Sequence, residues 1–317
     1  MTTMSIRDVS LNVEVLGRGY PLVLMHGGPS ADLYTMLPFR RLADRFTLVF
    51  YDHRCNGRSV GAPVSSMTWE NLTADADALR ERLGFERWAV LGHSFGGHVA
   101  LEYALRYPDR LSHLVLLDTA AHSRWSQQNA AEVLAKRGYS PKKVELARRW
   151  FNGEFEPREQ FPIFLRIGSA YQHDPSLRAL ARQLMSGAWR TKFRPEAQIF
   201  GFRHLVRGWT VLDRLGEIMV PTLVMAGRSD FVFRRSVRRS LRPVSPTRAS
   251  GSSSAPGTTR TRSRPSRSWT PSGTSSPRHP PVGRRGLWRL GQTKGGAHDE
   301  CAREGRSGIS AASPEEA

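Results

Sequence analysis

The stretch that most constrains the fold of this chain is W-A-V-L-G-H-S-F-G-G-H, residues 88–98. An apolar run ends in a serine held between glycines, and a helical pattern then continues until Pro108. A chain that passes from a buried strand through one serine into a helix must turn sharply. Small residues two positions before and after the serine let the strand and the helix approach each other. The stretch therefore predicts a strand with a helix packed against it, the repeating unit of a layered α/β fold.

Further segments of the same kinds lie on both sides of this turn. Helical spacing is found at 69–83 and 95–107, with apolar residues on one face of the first. Four more apolar runs have the length and composition of buried strands: 11–16, 21–25, 47–51 and 111–117. Apolar runs separated by helices are typical of a parallel sheet covered on both faces. The predicted fold class is therefore α/β, a mostly parallel sheet with helices on both faces, and residues 1–120 are the first part of its core.

The pattern changes between residues 121 and 208. This part has helical stretches, such as 144–151 and 177–184, and no clear strand. A short helix is expected at 209–215, and the strand pattern returns at 221–226, P-T-L-V-M-A. A helical insertion between two strands of one sheet predicts a helical cap over the sheet edge. We call residues 121–208 the cap segment and assign 209–233 to the second part of the core.

The composition changes again after Phe233. Residues 234–317 carry 17 Lys and Arg against 5 Asp and Glu, whereas residues 1–233 carry 30 against 23. Most of the formal net charge of +19 therefore lies in the last quarter of the chain. Ser, Arg and Pro dominate that quarter, which predicts disorder rather than a packed core. Its arginines are not interleaved with aromatic residues, so a nucleic-acid partner is not predicted.

The remaining composition points to an ordinary intracellular protein. The two cysteines, Cys55 and Cys301, lie far apart in unlike regions, so a reducing cytoplasm is expected rather than a disulfide framework. The first residues lack a basic start followed by an apolar run, and no stretch has the length of a membrane span. We expect no signal peptide, no membrane partner, no metal and no cofactor. The sequence does not indicate an oligomeric state.

Three motifs carry the chemistry. In G-H-S-F-G the sharp turn exposes the hydroxyl of Ser94 as a nucleophile, and the backbone N–H of Phe95 can face a developing oxyanion. H-G-G-P follows an earlier strand and offers Gly28 as a second oxyanion donor. Asp230 follows the late strand, where a carboxylate could orient a catalytic histidine. The alternatives are a structural serine, a plain turn at Gly28 and a solvated or helix-capping aspartate at 230.

Taken together, H-G-G-P, D-H-R-C-N-G-R-S, G-H-S-F-G-G and P-T-L-V-M-A-G-R-S-D resemble the α/β-hydrolase superfamily. The H-G-G-P and D-x-R-x-x-G-R-S pair is most similar to the proline iminopeptidases and related serine aminopeptidases. The resemblance covers residues 1–233. It implies Ser94 as nucleophile, Asp230 as triad acid, Gly28 and Phe95 as oxyanion donors, and a small acyl or short-peptide substrate such as an N-terminal proline amide.

Two departures leave the substrate open. Those peptidases usually carry H-G-G-P-G where this chain has Ser30, and a tryptophan where it has Phe95. The form G-H-S-F-G-G is typical of esterases and general hydrolases. An esterase or a C–C bond hydrolase of the same fold therefore remains an alternative, as does a non-catalytic pseudoenzyme or binding protein. Three cap glutamates, Glu154, Glu156 and Glu159, could hold a substrate ammonium by location, although a solvated charge cluster is the simpler interpretation.

The catalytic histidine is missing from its expected place. The resemblance implies a G-H dipeptide roughly 25–30 residues past the acid, and that window contains no histidine. His279 and His298 lie in the Ser/Arg/Pro-rich tail, where a bystander role is expected. His26, His93 and His98 lie near the nucleophile in sequence, but each would need unusual geometry to act as its base. No catalytic histidine is identified.

A frameshift would account for the missing base. If one nucleotide was lost after Phe233, the genetic code allows residues 257–261 to correspond to G-H-N-P-H in the original reading frame. Residues 268–276 can likewise correspond to V-M-D-A-V-R-D-F-I, which has helical spacing of apolar residues. Our hypothesis is that the final strand, the histidine loop and the final helix of a hydrolase lie in a frame that residues 234–317 do not follow.

Overall fold

The computed structural model describes residues 1–171, 188–227 and 230–233. Seven strands form one sheet in the order β1-β2-β4-β3-β5-β6-β7. The first two junctions of that order, β1 with β2 and β2 with β4, are antiparallel, and the others are parallel. The strands are β1 (Thr2–Ile6), β2 (Val9–Leu16), β3 (Tyr20–Met25), β4 (Phe46–Tyr51), β5 (Trp88–His93), β6 (Leu111–Leu117) and β7 (Thr222–Met225). The predicted α/β class with a mostly parallel sheet is confirmed.

Helical segments alternate with the strands from β3 to β6, and after β6 the helices follow one another. Thr68 caps the first helix by accepting a hydrogen bond from the backbone N–H of Asn71. The α-helices are α1 (Trp69–Arg82), α2 (Phe95–Arg106), α3 (Ala130–Lys136), α4 (Pro141–Asn152), α5 (Gln160–Ile167) and α6 (Pro195–Phe200). Shorter 3₁₀ and π segments include Leu33–Leu42, Trp125–Asn129, Gly201–Leu205 and Leu212–Glu217.

The central strands are buried on both faces, as their apolar composition requires. In β3, Val23 and Met25 join the large core that also contains α1 and α2, whereas Leu22 and Leu24 face a second core against the Leu33–Leu42 segment. All four side chains are buried. The sheet is therefore the middle layer between two apolar layers, and its carboxyl-terminal edge carries the loops that hold the candidate site.

Most of the predicted elements correspond to the observed ones, with three differences. The predicted helices at 69–83, 95–107 and 144–151 correspond to α1, α2 and part of α4, whereas the stretch 177–184 and the tail 234–317 lie outside the described residues. The predicted strands correspond to β2–β7. Strand β1 and the 3₁₀ segment Leu33–Leu42 were not predicted.

The helix expected at 209–215 is the third difference. Thr210 instead forms a β-bridge with His122, and the backbone N–H of Val211 donates to Ala121. The indole N–H of Trp209 is held by the Glu102 carboxylate at 2.6 Å. The Trp209 carbonyl accepts from the Ser123 N–H at 2.9 Å, so it does not serve as the first acceptor of a helix. A 3₁₀ segment begins only at Leu212.

Strand β7 pairs with β6, and it is the last strand in the part of the chain that the structure describes. Two of its apolar side chains, Leu223 and Met225, are nearly half exposed. Within the described ranges, no helix is both long and apolar enough to cross a membrane.

Candidate active site

Ser94 lies at the turn between β5 and α2, at the carboxyl-terminal edge of the sheet. Its backbone has φ +53° and ψ −118°, a conformation that costs energy for any residue with a side chain. Hydrogen bonds fix it: the Ser94 N–H donates to the Leu117 carbonyl at 3.0 Å, and the Ser94 carbonyl accepts from the Thr119 hydroxyl at 2.8 Å. A strained residue held from both sides is what an exposed nucleophile at this turn requires.

None of the glycines around Ser94 has a positive φ, so their backbone conformation does not require glycine. What requires glycine is the lack of space for a Cβ. A Cβ on Gly92 would lie 2.4 Å from the Gly96 carbonyl oxygen, and one on Gly96 would lie 2.1 Å from the Met25 carbonyl oxygen. A Cβ on Gly97 would meet the Thr119 side chain at 2.4 Å. Each glycine therefore allows a close contact between α2 and either a strand or the loop that follows a strand. Together these contacts fix the position of Ser94 relative to β3, β5 and β6.

The two predicted oxyanion donors come from neighbouring segments. Phe95 is the first residue of α2, so its N–H has no partner within the helix. Gly27 packs directly on the nucleophile, since a Cβ there would lie 3.3 Å from Ser94 Cβ. The next residue, Gly28, has φ +135°, which glycine adopts readily. The H-G-G-P loop thus passes alongside Ser94, with Gly28 one residue beyond the contact.

Asp230 lies just past β7, as predicted. Its Oδ1 accepts a hydrogen bond from the Val232 N–H at 2.7 Å, and its own N–H donates to the Gly227 carbonyl at 3.1 Å. Its Oδ2 is enclosed and has no hydrogen-bond partner among the described residues. Burial raises the pKa of the carboxyl, the charge of Asp118 raises it further, and the two backbone N–H groups of Val232 and Phe233 oppose the rise. One oxygen of the predicted triad acid is therefore held in place while the other is unpaired.

Asp118 was not identified from the sequence. It directly follows β6 with φ +44°, and its N–H donates to the Met225 carbonyl at 2.9 Å. Its Oδ1 accepts from the Gly227 N–H at 2.6 Å, which ties the end of β6 to the loop that carries Asp230. The available signal was a carboxylate immediately after a predicted strand, at the sheet edge where Ser94 lies.

His26 does not provide the missing base. Its Nε2 accepts a hydrogen bond from the His53 backbone N–H at 3.1 Å, so its Nδ1 carries the proton and donates to the Gly27 carbonyl at 2.7 Å. Both ring nitrogens are thus committed to holding the loops after β3 and β4. Burial lowers the pKa of His26, which agrees with a neutral ring.

His93 and His98 also make no hydrogen bond to the Ser94 hydroxyl. Nδ1 of His93 is enclosed against Gly27, and burial lowers the pKa of its ring. Both ring nitrogens of His98 are enclosed without a partner among the described residues, and burial lowers its pKa to about 3. Aromatic rings surround His98, those of Trp69, Phe95, Trp209 and Phe233. None of the three histidines considered as the base, His26, His93 and His98, is hydrogen-bonded to Ser94 Oγ in the structure; His279 and His298 lie outside the described residues.

The three cap glutamates are engaged with neighbouring groups. Glu154 pairs with Arg148 at 2.6 Å, and Glu159 pairs with Arg149 at 2.9 Å. The Glu159 side chain also accepts from the Glu156 N–H at 2.8 Å and closes a capping box at the start of a 3₁₀ turn. Glu154 and Glu159 therefore belong to a partly solvated cluster of ion pairs, which is the simpler of the two interpretations given above.

Comparison with known proteins agrees with this fold. The sequence profile of the alpha/beta hydrolase fold family matches residues 20–246. The chain belongs to the α/β hydrolase fold family.

Among its relatives, the proline iminopeptidase of Neisseria gonorrhoeae is 37% identical over 238 residues, which cover 67% of this chain and 74% of that protein. The proline iminopeptidase of Xylella fastidiosa strain Temecula1 is 36% identical over 108 residues, and the match spans only 34% of its length and 34% of this chain. A Rhizobium rhizogenes protein that is named provisionally as a carbamate hydrolase, RutD, is 28% identical over 234 residues, 72% of this chain and 84% of that protein.

Solved structures show the same fold. The crystal structure of the Mycobacterium smegmatis proline iminopeptidase matches with a TM-score of 0.56 at 24% identity, over 75% of this chain and 84% of that one. An esterase from Exiguobacterium antarcticum matches with a TM-score of 0.56 at 22% identity, over 73% and 82% of the two chains. At these identities the likeness concerns the fold alone.

Proposed function

We propose that this chain is a serine hydrolase in which Ser94 attacks the carbonyl carbon of a small acyl, amide or ester substrate. The N–H groups of Gly28 and Phe95 would stabilise the oxyanion, and Asp230 would orient and charge-balance a histidine that takes the serine proton. The observation that carries the proposal is the backbone of Ser94. Its φ of +53° is maintained between three space-limited glycines, a strain that a merely structural serine would not need.

The activity of the printed sequence is proposed to be impaired, because the described residues place no histidine at Ser94 Oγ. The unpaired Asp230 Oδ2 supports this, since it is the atom that a triad histidine would contact. A serine hydroxyl without a base is a poor nucleophile, and loss of the base costs several powers of ten in rate. Within this proposal, the base lies in the reading frame that was lost after Phe233.

The favoured substrate is an N-terminal proline amide, as in a proline iminopeptidase. The 37% identity to the Neisseria enzyme over two thirds of the chain supports this choice. A second candidate, an ester, is favoured by Phe95 and Ser30, which depart from the peptidase pattern. No nucleic-acid or membrane partner is part of the proposal, and the two distant cysteines keep the cytoplasm as the proposed location.

Fluorophosphonate labelling of the intact protein tests the nucleophile. We expect slow labelling that Ser94→Ala abolishes and that Ser112→Ala, a control serine on β6, leaves unchanged. Absence of labelling in a folded protein would instead favour the non-catalytic alternative. A panel of proline amide and short-chain nitrophenyl esters, applied to the unlabelled protein, separates the peptidase from the esterase.

A frame-restored chain tests the missing base. Sequencing the gene shows whether a nucleotide is absent near codon 233, and inserting it should raise turnover by at least about 10³-fold. Asp230→Asn should then lower turnover of the restored chain by roughly 10³ to 10⁴-fold. In the chain with the present sequence, the same change should alter the rate of fluorophosphonate labelling by less than about 3-fold. An uninterrupted frame in the gene, with no lost base, would end the frameshift hypothesis.

A further inference from the structure

A buried polar cluster joins the H-G-G-P loop to the cap segment. The Ser30 hydroxyl donates to Gln198 Oε1 at 3.2 Å, and Gln160 Nε2 donates to Gln198 Oε1 at 2.6 Å and to the Ser30 hydroxyl at 3.3 Å. The Ser30 backbone N–H donates to Asn56 Oδ1 at 2.6 Å. We call these four residues the Ser30 cluster; all of them are buried, none more than 5% exposed. Polar groups at this depth contribute only when they are hydrogen-bonded, and these groups are, whereas Gln198 Nε2 has no partner among the described residues.

The backbone of Ser30 is strained in a way that the cluster explains. Its φ is +126°, in the region where glycine is favoured and a residue with a Cβ is disfavoured. Its carbonyl accepts from the Arg194 N–H at 3.0 Å, so the N–H, the hydroxyl and the carbonyl of Ser30 are all bonded. Strained residues persist where the surroundings over-determine them, and such residues concentrate at functional sites.

The strained residue lies two positions after the proposed oxyanion donor. A Cβ on Gly28 would lie 2.6 Å from the Ser30 nitrogen, so the two peptide units are folded tightly on each other. Between them, the Pro29 ring packs against Gly201 of the cap segment, where a Cβ would meet Pro29 Cγ at 2.3 Å. The orientation of the Gly28 peptide is therefore coupled, through residues 29 and 30, to helices α5 and α6.

We propose that Ser30 is a positioning residue for the oxyanion donor Gly28, and that Gln160 and Gln198 hold it there from the cap segment. The inference rests on the proposed function of Ser94. In this arrangement, the cap side chains determine where the Gly28 N–H points. An oxyanion donor acts only when it is aimed at the place where charge develops, so loosening the cluster should slow attack by Ser94 without weakening ground-state binding of the acyl group.

Paired variants at position 30 separate positioning from stability. Ser30→Ala keeps the unfavourable φ and removes the hydroxyl, whereas Ser30→Gly removes the hydroxyl and relieves the φ. We expect both to slow fluorophosphonate labelling of Ser94 by about 10-fold or more, while Ser30→Gly raises the melting temperature. Opposite changes in stability and labelling are not expected of a residue with a purely structural role. Thr35→Ala, in the same loop region but outside the cluster, is the matched control and should leave labelling within about 2-fold.

Gln198→Met tests the cap side of the cluster. It should slow labelling to a similar extent. The double variant with Ser30→Ala should be labelled no more slowly than either single variant, because both changes disrupt the same Ser30 cluster. Independent multiplicative effects in the double variant, or a Ser30→Gly protein that is more stable and labels at the wild-type rate, would overturn the proposal.

Hydrogen exchange of a peptide covering residues 26–34 gives a readout that does not depend on Ser94 chemistry. Ser30→Ala and Gln198→Met should both lower the protection of this peptide from exchange. Thr35→Ala should leave the protection of residues 26–31 unchanged. If the wild-type protein is not labelled at all, the proposed function of Ser94 fails, and exchange still decides whether the cluster holds the loop. Unchanged protection in both cluster variants would overturn the positioning role.

Discussion

The strand before Ser94, β5, and the strand before Asp230, β7, have similar sequences and very different surroundings. Both are apolar runs that lead to a glycine, W-A-V-L-G and T-L-V-M-A-G. Strand β5 lies between β3 and β6 and is buried along most of its length. Strand β7 pairs with β6 at the end of the described sheet, with Leu223 46% exposed and Met225 48% exposed. An apolar run thus predicts a strand without predicting how completely that strand is covered.

The same contrast applies to the two candidate catalytic residues. Ser94 is fixed by glycines that leave no room for a single methyl group. Asp230 is fixed by a few loop hydrogen bonds, and the three residues after it are buried, whereas apolar residues on and before β7 are exposed, including Met219 at 82%. Apolar surface next to an edge strand usually marks a place that something covers. This exposure supports the hypothesis that a further strand and helix belong beside β7.

The largest expected difference between the two regions comes from adding one methyl group. Gly96→Ala places a Cβ 2.1 Å from a backbone carbonyl oxygen that no rotamer change can move, so it should destabilise the protein by at least about 3 kcal/mol. Gly227→Ala, next to Asp230, meets nothing closer than 3.7 Å and should change stability by no more than about 0.5 kcal/mol. Urea unfolding of both variants measures the difference. Equal effects would contradict the claim that packing fixes only the nucleophile.

A smaller difference is expected for apolar truncation within the two strands. Leu91→Ala in β5 leaves a cavity in a closed core and should cost about 2 to 4 kcal/mol. Leu223→Ala in β7 removes a side chain that is already half in water and should cost less than about 1 kcal/mol. The comparison is made by the shift in the urea midpoint at constant m-value. A cost at Leu223 equal to that at Leu91 would mean that β7 is covered in solution.

The sequence was sufficient for the fold class, for β2–β7 and for the turn at Ser94, because these elements are set by local apolar periodicity and by glycine spacing. It was insufficient for β1, where a short edge strand with mostly exposed residues has little periodicity to detect. The positive φ values of Ser30 and Asp118 were also beyond it, since each residue is held by contacts with residues more than 20 positions away. The position of Asp118 after a predicted strand was a local signal, but its long-range contacts left none.

The absence of a histidine at Ser94 Oγ within the described residues agrees with what the spacing after Asp230 had suggested. Three histidines were considered as the base, His26, His93 and His98, yet burial lowers the pKa of each one, and none bonds to the serine hydroxyl. Proximity in sequence was therefore a poor guide to a catalytic role. Asp230 Oδ2, which has no hydrogen-bond partner among the described residues, is where the proposed function would place the histidine.

The last expected effect depends on pH and concerns protonation on the side of Ser94. His98 has its pKa lowered to about 3 by burial among aromatic rings, against an ordinary value of 6.5. The unfolded chain therefore binds a proton that the folded protein excludes. The stability contributed by neutral His98 is complete above pH 6.5 and is lost as the pH falls from 6.5 towards 3, by up to about 1.4 kcal/mol per pH unit.

On the acid side the sign is reversed. The raised pKa of Asp230 means that the folded protein holds this proton more tightly than the unfolded chain does, so acidification favours the fold at that position.

His98→Leu should make the fall in stability between pH 6.5 and 5 shallower, while Phe233→Leu, in the same aromatic group, changes packing and leaves the slope as in the wild type. Asp230→Asn should stabilise the protein slightly at pH 7, by less than about 1 kcal/mol, with the advantage disappearing below pH 4. Urea unfolding at several pH values measures all three. If His98→Leu does not alter the slope of unfolding free energy against pH, water reaches the His98 ring. The surroundings of Ser94 would then exclude water no better than those of Asp230.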